Sequence, residues 1–324
     1  MGLTGAAGKV GASFLPQFLN DSRFSDWDVV ALCHNRLIPR QDRVSVIKGT
    51  LSDADTVSRA MEGVTHVLHL AAVKESPDLA FDVALKGMFL LLEEFRRSEA
   101  AEQFVLLSGD CVVGHIFQPF DGPVTEATPH KAYPGCYALT KVLEETMLEQ
   151  YGHQYGINWS ALRAPWIMEK DDFRFALDLG EDQFGGPPWE EVLDEVSLQR
   201  LRNGHHVPVL RDADGNTLKR NFVHVDDLVS AILATIDNPK AHGELFNIAM
   251  NEPVDYGAVA AYLAKTRNME ALSVPTPFHS NWLDNSKARH LLGWRPKVDF
   301  EDLIERAWAY QRAPDEPRKI WYPG

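Results

Sequence analysis

Short apolar runs recur along the first half of the chain, separated by stretches in which apolar residues fall at three- and four-residue spacing. The runs are Val29-Val30-Ala31-Leu32, Val67-Leu68-His69-Leu70-Ala71, Phe104-Val105-Leu106-Leu107 and Trp159-Ser160-Ala161-Leu162. Each reads as a strand without polar alternation, and stretches such as Phe81 to Arg97 read as helices. Near-continuous apolar strands alternating with helices predict an α/β fold, a doubly wound parallel sheet covered on both faces and built with right-handed crossovers. Only Met1 to Thr4 precede the first glycines. The first strand is therefore expected to be short, or the natural start to lie upstream.

From Glu169 to Gly215 the pattern turns acidic and loses strand alternation over most of its length, with an aromatic and glycine cluster at Phe184 to Trp189. It predicts loops and helices of a second, smaller region. Phe222 to Val225 reads as a strand, Asp226-Asp227 as a helix cap, and Leu228 to Ile236 as a helix. Glu244 to Ala249 is another strand, and Tyr256 to Ala264 and Leu303 to Tyr310 are further helices.

Composition narrows the class. The chain has 324 residues, 45% hydrophobic and 24% charged, enough to bury about three quarters of its extended surface. Its 46 acidic and 32 basic side chains leave a formal charge of −14. That balance argues against nucleic acid as a partner, while a pocket for one phosphorylated ligand stays compatible with it. No run approaches the length of a membrane span, and no basic or apolar leader opens the sequence, so a cytoplasmic protein without a membrane partner is expected. Cys33, Cys111 and Cys136 are odd in number and far apart, which excludes a disulfide framework and offers no metal-ligand spacing. His205-His206 has no third ligand at turn or helical spacing, and no metal is expected.

Two segments carry candidate chemistry. Thr4-Gly5-Ala6-Ala7-Gly8-Lys9-Val10-Gly11 lies at the first strand-to-helix junction, where glycines let backbone N–H groups, those of Gly5, Gly8, Lys9 and Val10 among them, approach a pyrophosphate at a helix N-terminus. The second strand ends in Cys33-His34-Asn35-Arg36 instead of the carboxylate suited to the ribose of NAD. Arg36, and His34 when protonated, suit a 2′-phosphate, which favours NADP over NAD; the other reading leaves Arg36 solvated and the ribose on Asn35 or backbone. Asp53 is placed to accept from an adenine amino group, to cap the next helix, or both. Leu70-Ala71-Ala72 ends a strand with the small side chains that close passage of a cofactor requires. Further along, Tyr137 and Lys141 stand four apart on a predicted helix and share one face. Moving a phenol from its usual pKa of about 10 to near 7 takes roughly 4 kcal/mol, within reach of an adjacent ammonium in a partly desolvated pocket. Such a tyrosinate can take a proton from an alcohol as hydride leaves its carbon for a nicotinamide. A Tyr with Lys four later also arises by chance in a chain with eight tyrosines; the preceding strand and the glycine-rich turn favour the chemical reading.

With these segments in order, together with Leu162-Arg163, Arg220 to Leu228, Phe246-Asn247-Ile248, Ser286 to Arg289 and Leu292 to Pro296, the chain resembles the extended short-chain dehydrogenase/reductase family, in its NAD-dependent epimerase/dehydratase branch. The resemblance implies a Rossmann-like domain over residues 1–165 that binds NAD(P), to which elements near 220–250 return. It also implies a smaller, mainly substrate-binding region over 166–324 and a homodimer joined through helices of the larger domain. Arg220 matches a position that contacts the nucleotide of sugar-nucleotide substrates, and the motif after Ser286 is structural, with Ser286, Asp284 or Asn285 as the cap.

The sequence also departs from that family. Gly109 stands where a catalytic Ser or Thr is expected, and Ser108, one residue early, reaches the site only if the strand end bends. Asp110 matches the general acid of the sugar-nucleotide dehydratases, but Cys111 stands at their neighbouring glutamate, which disfavours elimination. Ala84 and Trp166 replace asparagines, pointing to a smaller or more apolar-faced substrate. Lys74 is placed to meet a carboxylate or phosphate, and His224 to make a structural hydrogen bond. The residues expected to act on substrate are thus Tyr137, Lys141, Ser108 and Asp110, with Lys74, Trp166 and Arg220 binding it. The expected activity is NAD(P)-dependent oxidation, reduction or epimerisation at a secondary hydroxyl of a sugar, sugar acid or nucleotide sugar. The alternative is a scaffold that kept the fold and lost the chemistry, which Gly109 favours and the Tyr137–Lys141 pair opposes. Residues 169–195 are expected to wall the substrate pocket, since ligands of open α/β sheets sit beyond the carboxyl ends of the strands.

Overall fold

The apolar runs form β2 (Val29–Cys33), β4 (His66–His69), β5 (Gln103–Gly109) and β6 (Trp159–Ala164), joined by β1 (Gly2–Thr4) and β3 (Val44–Lys48). The computed structural model describes residues 1–178, 189–316 and 318. With Glu244–Asn247 these strands make one seven-stranded sheet, ordered Glu244–Asn247, β6, β5, β4, β1, β2, β3, every neighbouring pair parallel. The order reverses beside β1, and that is where the crevice of a doubly wound sheet opens.

Both faces are covered. On one, α1 (Lys9–Asn20) and the helix Val225–Thr235 bury Phe14, Phe18, Leu228 and Ile232 against Leu3, Val29 and Leu162. On the other, α2 (Ala54–Met61), α4 (Lys86–Arg97) and α5 (Cys136–Tyr155) bury Val57, Leu92, Phe95 and Leu148 against Phe104 and Leu106. The one-turn α3 (Pro77–Leu79) leads into a π-helical turn, Ala80–Leu85, before α4. The helical pattern from Phe81 to Arg97 is therefore wound loosely at its start, where buried Ala84 sits.

After β6 the chain builds a second core around Met168, Phe173, Phe222, Tyr256 and Ile304. There β7 (Trp166–Met168) pairs with Phe222–His224, and His206–Arg211 pairs with Glu270–Pro275, both in parallel. The strand His206–Arg211 lies inside the stretch expected to hold loops and helices; its pairing partner is distant in sequence, so no local turn signal announces it. Most of the Phe184 to Trp189 cluster falls outside the described residues.

The helix after Phe222–His224 begins at Val225, so Asp226 and Asp227 occupy its first turn; His224 caps it, its Nδ1 accepting from the Asp226 N–H at 3.2 Å. Asp227 instead accepts from the N–H groups of Lys297 and Val298, at 3.0 and 2.9 Å. Ser286 opens the helix Ser286–Leu291 and Asn285 holds the cap position. All three cysteines are free, and no helix of the described residues is long and apolar enough to cross a membrane.

Candidate active site

The glycine-rich turn is shaped by close backbone approach. Gly5 adopts φ +71°, and a Cβ there would lie 2.8 Å from the Ala71 nitrogen and the Leu70 carbonyl carbon. At Gly11 a Cβ would come within 2.4 Å of the Gly5 oxygen. Gly8 caps α1 without a side-chain bond, so the first-turn amides of the helix face the crevice with no internal acceptor. This cradle fits the pyrophosphate of a dinucleotide. The Lys9 ammonium is engaged elsewhere, donating to Asp172 at 2.6 Å and to the Ile167 carbonyl at 2.8 Å, which leaves its backbone amide for a ligand.

The turn opens into a cleft of about 520 Å³ at the carboxyl ends of the sheet strands. The cleft brings together Gly5, Gly8, Lys9 and Val10 with His34, Asn35 and Arg36, the loop Leu70-Ala71-Ala72, Lys74, Ser108, Asp110, Tyr137, Lys141, Trp166 and Arg220. Leu70 to Ala72 already lie beyond β4, their course fixed by Thr4, whose hydroxyl accepts from the Leu70 and Ala71 N–H groups at 3.2 Å each. His34 and Asn35 are exposed and Arg36 is half-buried. Asp53 does not line the cleft. Its carboxylate accepts from the Thr56 N–H at 3.2 Å and from the Thr56 hydroxyl, so it is the cap of α2.

Tyr137 and Lys141 project from the first turns of α5, which is anchored from outside. Glu75 accepts from the N–H groups of Cys136 and Tyr137, at 2.9 and 3.4 Å, placing a carboxylate at the helix N-terminus. The Lys141 ammonium donates to Glu144 Oε2 at 2.7 Å and to the Leu107 carbonyl at 3.1 Å. Burial pushes the Glu144 carboxyl up, against the pull of Lys141. The Tyr137 phenol is raised well above its ordinary value, by burial first and then by Cys111, Tyr133, Glu144 and Asp110. A phenol brought near neutrality by Lys141 alone is thus not what the protein's own groups produce, because burial and the neighbouring acidic groups outweigh the ammonium.

Ser108 and Gly109 settle on opposite sides. β5 remains extended through Gly109, so alternation holds to its end. The Ser108 hydroxyl points away from Tyr137 and donates to Glu145 Oε1 at 2.5 Å, inside a cluster in which Arg163 Nη2 and His130 Nε2 meet Glu145 Oε2 at 2.8 and 2.9 Å. Ser108 is therefore removed from the reacting groups. Gly109 has ordinary extended geometry that any residue adopts, φ −146° and ψ 161°. A Cβ there would lie 3.8 Å from the Tyr137 hydroxyl and 3.2 Å from Cys111 Sγ. The hydroxyl position does face Tyr137, and the Cys111 thiol crowds it; burial pushes that thiol up and keeps it protonated. Asp110 accepts from His115 Nδ1 at 2.5 Å, both side chains buried in the cleft wall. His115 is held inward by a left-handed backbone, φ +48°, directly after Gly114 at φ +101°. Sequence reading missed His115, Glu75 and Glu144; Gly114 is the only local signal for the first.

At the far end, the Arg220 guanidinium lies 4.2 Å from the Trp166 ring centroid and is fully buried. Burial lowers its pKa, while Tyr256 and Asp110 hold the charge in place. Trp166 therefore walls the cleft and carries Arg220 on its face. The Lys74 ammonium stands 3.8 Å from the Tyr137 ring centroid, and burial lowers its pKa to about 8. Of the acidic segment, Asp172 reaches the glycine-rich turn through Lys9. Residues 179–188 lie outside the described residues.

Known proteins share this fold. A short-chain dehydrogenase/reductase superfamily protein from Agrobacterium tumefaciens, solved with bound NAD, superposes with a TM-score of 0.75 at 24% identity, over 94% of this chain and 95% of that one. UDP-glucuronic acid 4-epimerase from Bacillus cereus, solved with UDP-glucuronic acid and NAD, gives 0.70 at 21% identity, over 95% and 98%. In sequence, UDP-D-apiose/UDP-D-xylose synthase 1 of Arabidopsis thaliana is 30% identical over 54% of this chain, which spans 48% of that protein's length. UDP-glucuronate 4-epimerase 2 of the same plant is 23% identical over 94% of this chain and 74% of its own. The model of the NAD dependent epimerase/dehydratase family matches residues 1–168, and the chain belongs to that family.

Proposed function

We propose that the chain is an NAD(P)-dependent oxidoreductase or epimerase acting on a secondary hydroxyl of a carbohydrate-like substrate, with Tyr137 as its acid–base group. The observation that carries this reading is the convergence, in one cleft, of the glycine-rich turn, Tyr137 and the Gly109 position that faces its hydroxyl. Gly5, Gly8 and the amides of Lys9 and Val10 hold the pyrophosphate, Leu70 to Ala72 flank the cofactor, and His34, Asn35 and Arg36 meet the adenosine ribose. A nicotinamide held here would supply the hydride chemistry at the substrate carbon, and in its oxidised form its positive charge would favour the tyrosinate. Tyr137 exchanges the proton of the alcohol, and Lys141 steadies it and hydrogen-bonds cofactor ribose hydroxyls. Asp110, oriented by His115, holds the substrate hydroxyl or a water where Gly109 supplies no side chain. Net elimination is disfavoured, because a protonated thiol at Cys111 is no base.

Residues 1–165 serve the cofactor and 166–324 mainly the substrate, with Trp166 and Arg220 forming the far wall. The relatives named for UDP-glucuronate and UDP-apiose/xylose chemistry support a sugar-type substrate. The free cysteines fit a reducing cytoplasm. Phe81, Phe89, Leu139 and Leu143 are exposed along α4, its entry turn and α5, and suit a homodimer joined through these helices.

Arg36 in the cleft favours NADP. NADPH should bind more tightly than NADH, and R36A should erase most of the difference, roughly tenfold or more for a charge-assisted phosphate contact, while leaving NADH nearly unchanged. Fluorescence titration of both cofactors measures this; equal affinities in the wild-type protein would overturn the NADP preference.

A further inference from the structure

At the amino ends of the sheet strands, opposite the cleft, three separated segments bring side chains together. His66 opens β4, Glu102 precedes β5, and Asp237 follows the helix Val225–Thr235. A ring nitrogen of His66 and one carboxylate oxygen from each acid all lie within 4.8 Å of one another, and His66 Nε2 stands 3.9 Å from Glu102 Oε2. The backbone beneath them is fixed. The Glu102 N–H donates to the Thr65 carbonyl at 2.7 Å and the Asp237 N–H to Gln103 Oε1 at 2.8 Å, while Gln103 Nε2 donates to the Thr235 carbonyl at 3.0 Å. Both carboxylates are exposed, but His66 is only 4% exposed, with the Trp27 ring 4.4 Å away between centroids. The His66 Nδ1 meets the Thr65 hydroxyl at 2.9 Å, and its Nε2 makes no hydrogen bond among the described residues. With the proton on Nδ1, Nε2 turns a lone pair toward the carboxylates.

We propose that His66, Glu102 and Asp237 bind a divalent transition metal of the zinc class, at a site separate from the cleft that clamps β4, β5 and the end of the helix Val225–Thr235. An ion pair alone accounts for the cluster less well, because it needs a charged imidazole. Burial lowers the His66 pKa against the pull of Glu102 and Asp237, which keeps the ring neutral near pH 7. A neutral imidazole beside two carboxylates is a metal donor set whose two negative charges balance a dication. The ring nitrogen selects Zn²⁺, Mn²⁺ or Co²⁺ over Mg²⁺ and Ca²⁺, which take oxygen ligands. Metal–ligand bonds of about 2.0–2.2 Å require the donor atoms to close by roughly 1 Å. The exposed carboxylate arms can supply that movement while the packed imidazole stays in place, and water completes the coordination. The Met1 amine, also near the ring, donates to the Asp28 carbonyl at 2.7 Å, and burial lowers its pKa, so it opposes a cation less than a solvated ammonium would. No spacing along the chain announces the site, because its three residues come from distant segments.

The test is calorimetric titration of the full chain, first dialysed against EDTA, with Zn²⁺ and, for comparison, Mg²⁺. One Zn²⁺ per chain should bind with a Kd of about 10 μM or tighter, and Mg²⁺ should bind at least roughly tenfold more weakly. H66N removes the nitrogen ligand but also disturbs a buried ring, so the deciding variants are E102Q and D237N, which change exposed side chains and should fold. Each should weaken Zn²⁺ binding roughly tenfold or more, and the double variant should abolish the stoichiometric site. The thermal unfolding midpoint should rise with Zn²⁺ in the wild-type protein and stay put in the double variant. Absence of stoichiometric Zn²⁺ binding at about 100 μM metal would overturn the proposal. So would Zn²⁺ affinity undiminished in the double variant, which would place the metal on other side chains, or Mg²⁺ binding as tight as that of Zn²⁺.

Discussion

Glu144 and Glu145 are adjacent on α5, and each neutralises a buried cation in a different region of the molecule. Glu145 belongs to the closed region behind β5, where Arg163, His130 and Ser108 all bond its carboxylate. Against the burial that would raise it, those partners hold its pKa below the ordinary carboxylate value. Glu144 belongs to the cleft region: Oε2 meets Lys141, while Oε1 is buried with no partner among the described residues, and burial wins. A carboxylate bonded through both oxygens fixes geometry, although Arg163 Nη1 beside it is buried with no partner among the described residues. An under-satisfied pair can exchange partners when a ligand arrives, and the lysine proposed to act with Tyr137 sits in such a pair.

R163M leaves Glu145 buried without its cation, and should cost about 3–5 kcal/mol of folding stability, as broken buried ion pairs do. Denaturant unfolding measures it. A loss below about 1 kcal/mol would mean that the cluster is no more than a surface-type pair. Cofactor affinity of the protein that remains folded should change little, since none of these side-chain bonds involves Tyr137 or Lys141.

On the cleft side, E144Q keeps an acceptor for Lys141 and removes the charge. The stability loss should be smaller, about 1–3 kcal/mol, and the sharper readout is pH. Glu144 is among the groups that raise the Tyr137 pKa. Without its charge one of those contributions is lost, the pKa falls, and the tyrosinate persists to lower pH. The acid limb of the oxidation profile should therefore move to lower pH in E144Q. A limb that stays in place or moves up would show that Lys141 and Tyr137 are not coupled through this pair.

The legibility of the site in the sequence divides along the same line. Features set by the backbone could be read directly. The glycine-rich turn announces a close approach, the four-residue spacing places Tyr137 and Lys141 together, and the family resemblance marks Gly109 as the hydroxyl position. Features set by long-range partners could not. Ser108 looked like a reserve hydroxyl because nothing local says that Glu145, Arg163 and His130 converge on it. Glu144, three residues beyond a lysine on a helix, looks like a solvated pair until the sheet buries both. His115 turns inward only through the positive φ of two successive residues, and the strand His206–Arg211 waits for Glu270–Pro275 to define it.

If Tyr137 exchanges the substrate proton in this cleft, single-turnover hydride transfer in Y137F shows it. The substitution keeps the ring and its contact with Lys74 and deletes the hydroxyl. Transfer, followed by nicotinamide absorbance on the preferred sugar substrate, should fall by roughly two to four orders of magnitude, as for other positioned acids and bases, while cofactor affinity stays within a few-fold. Transfer at the wild-type rate in Y137F would contradict it.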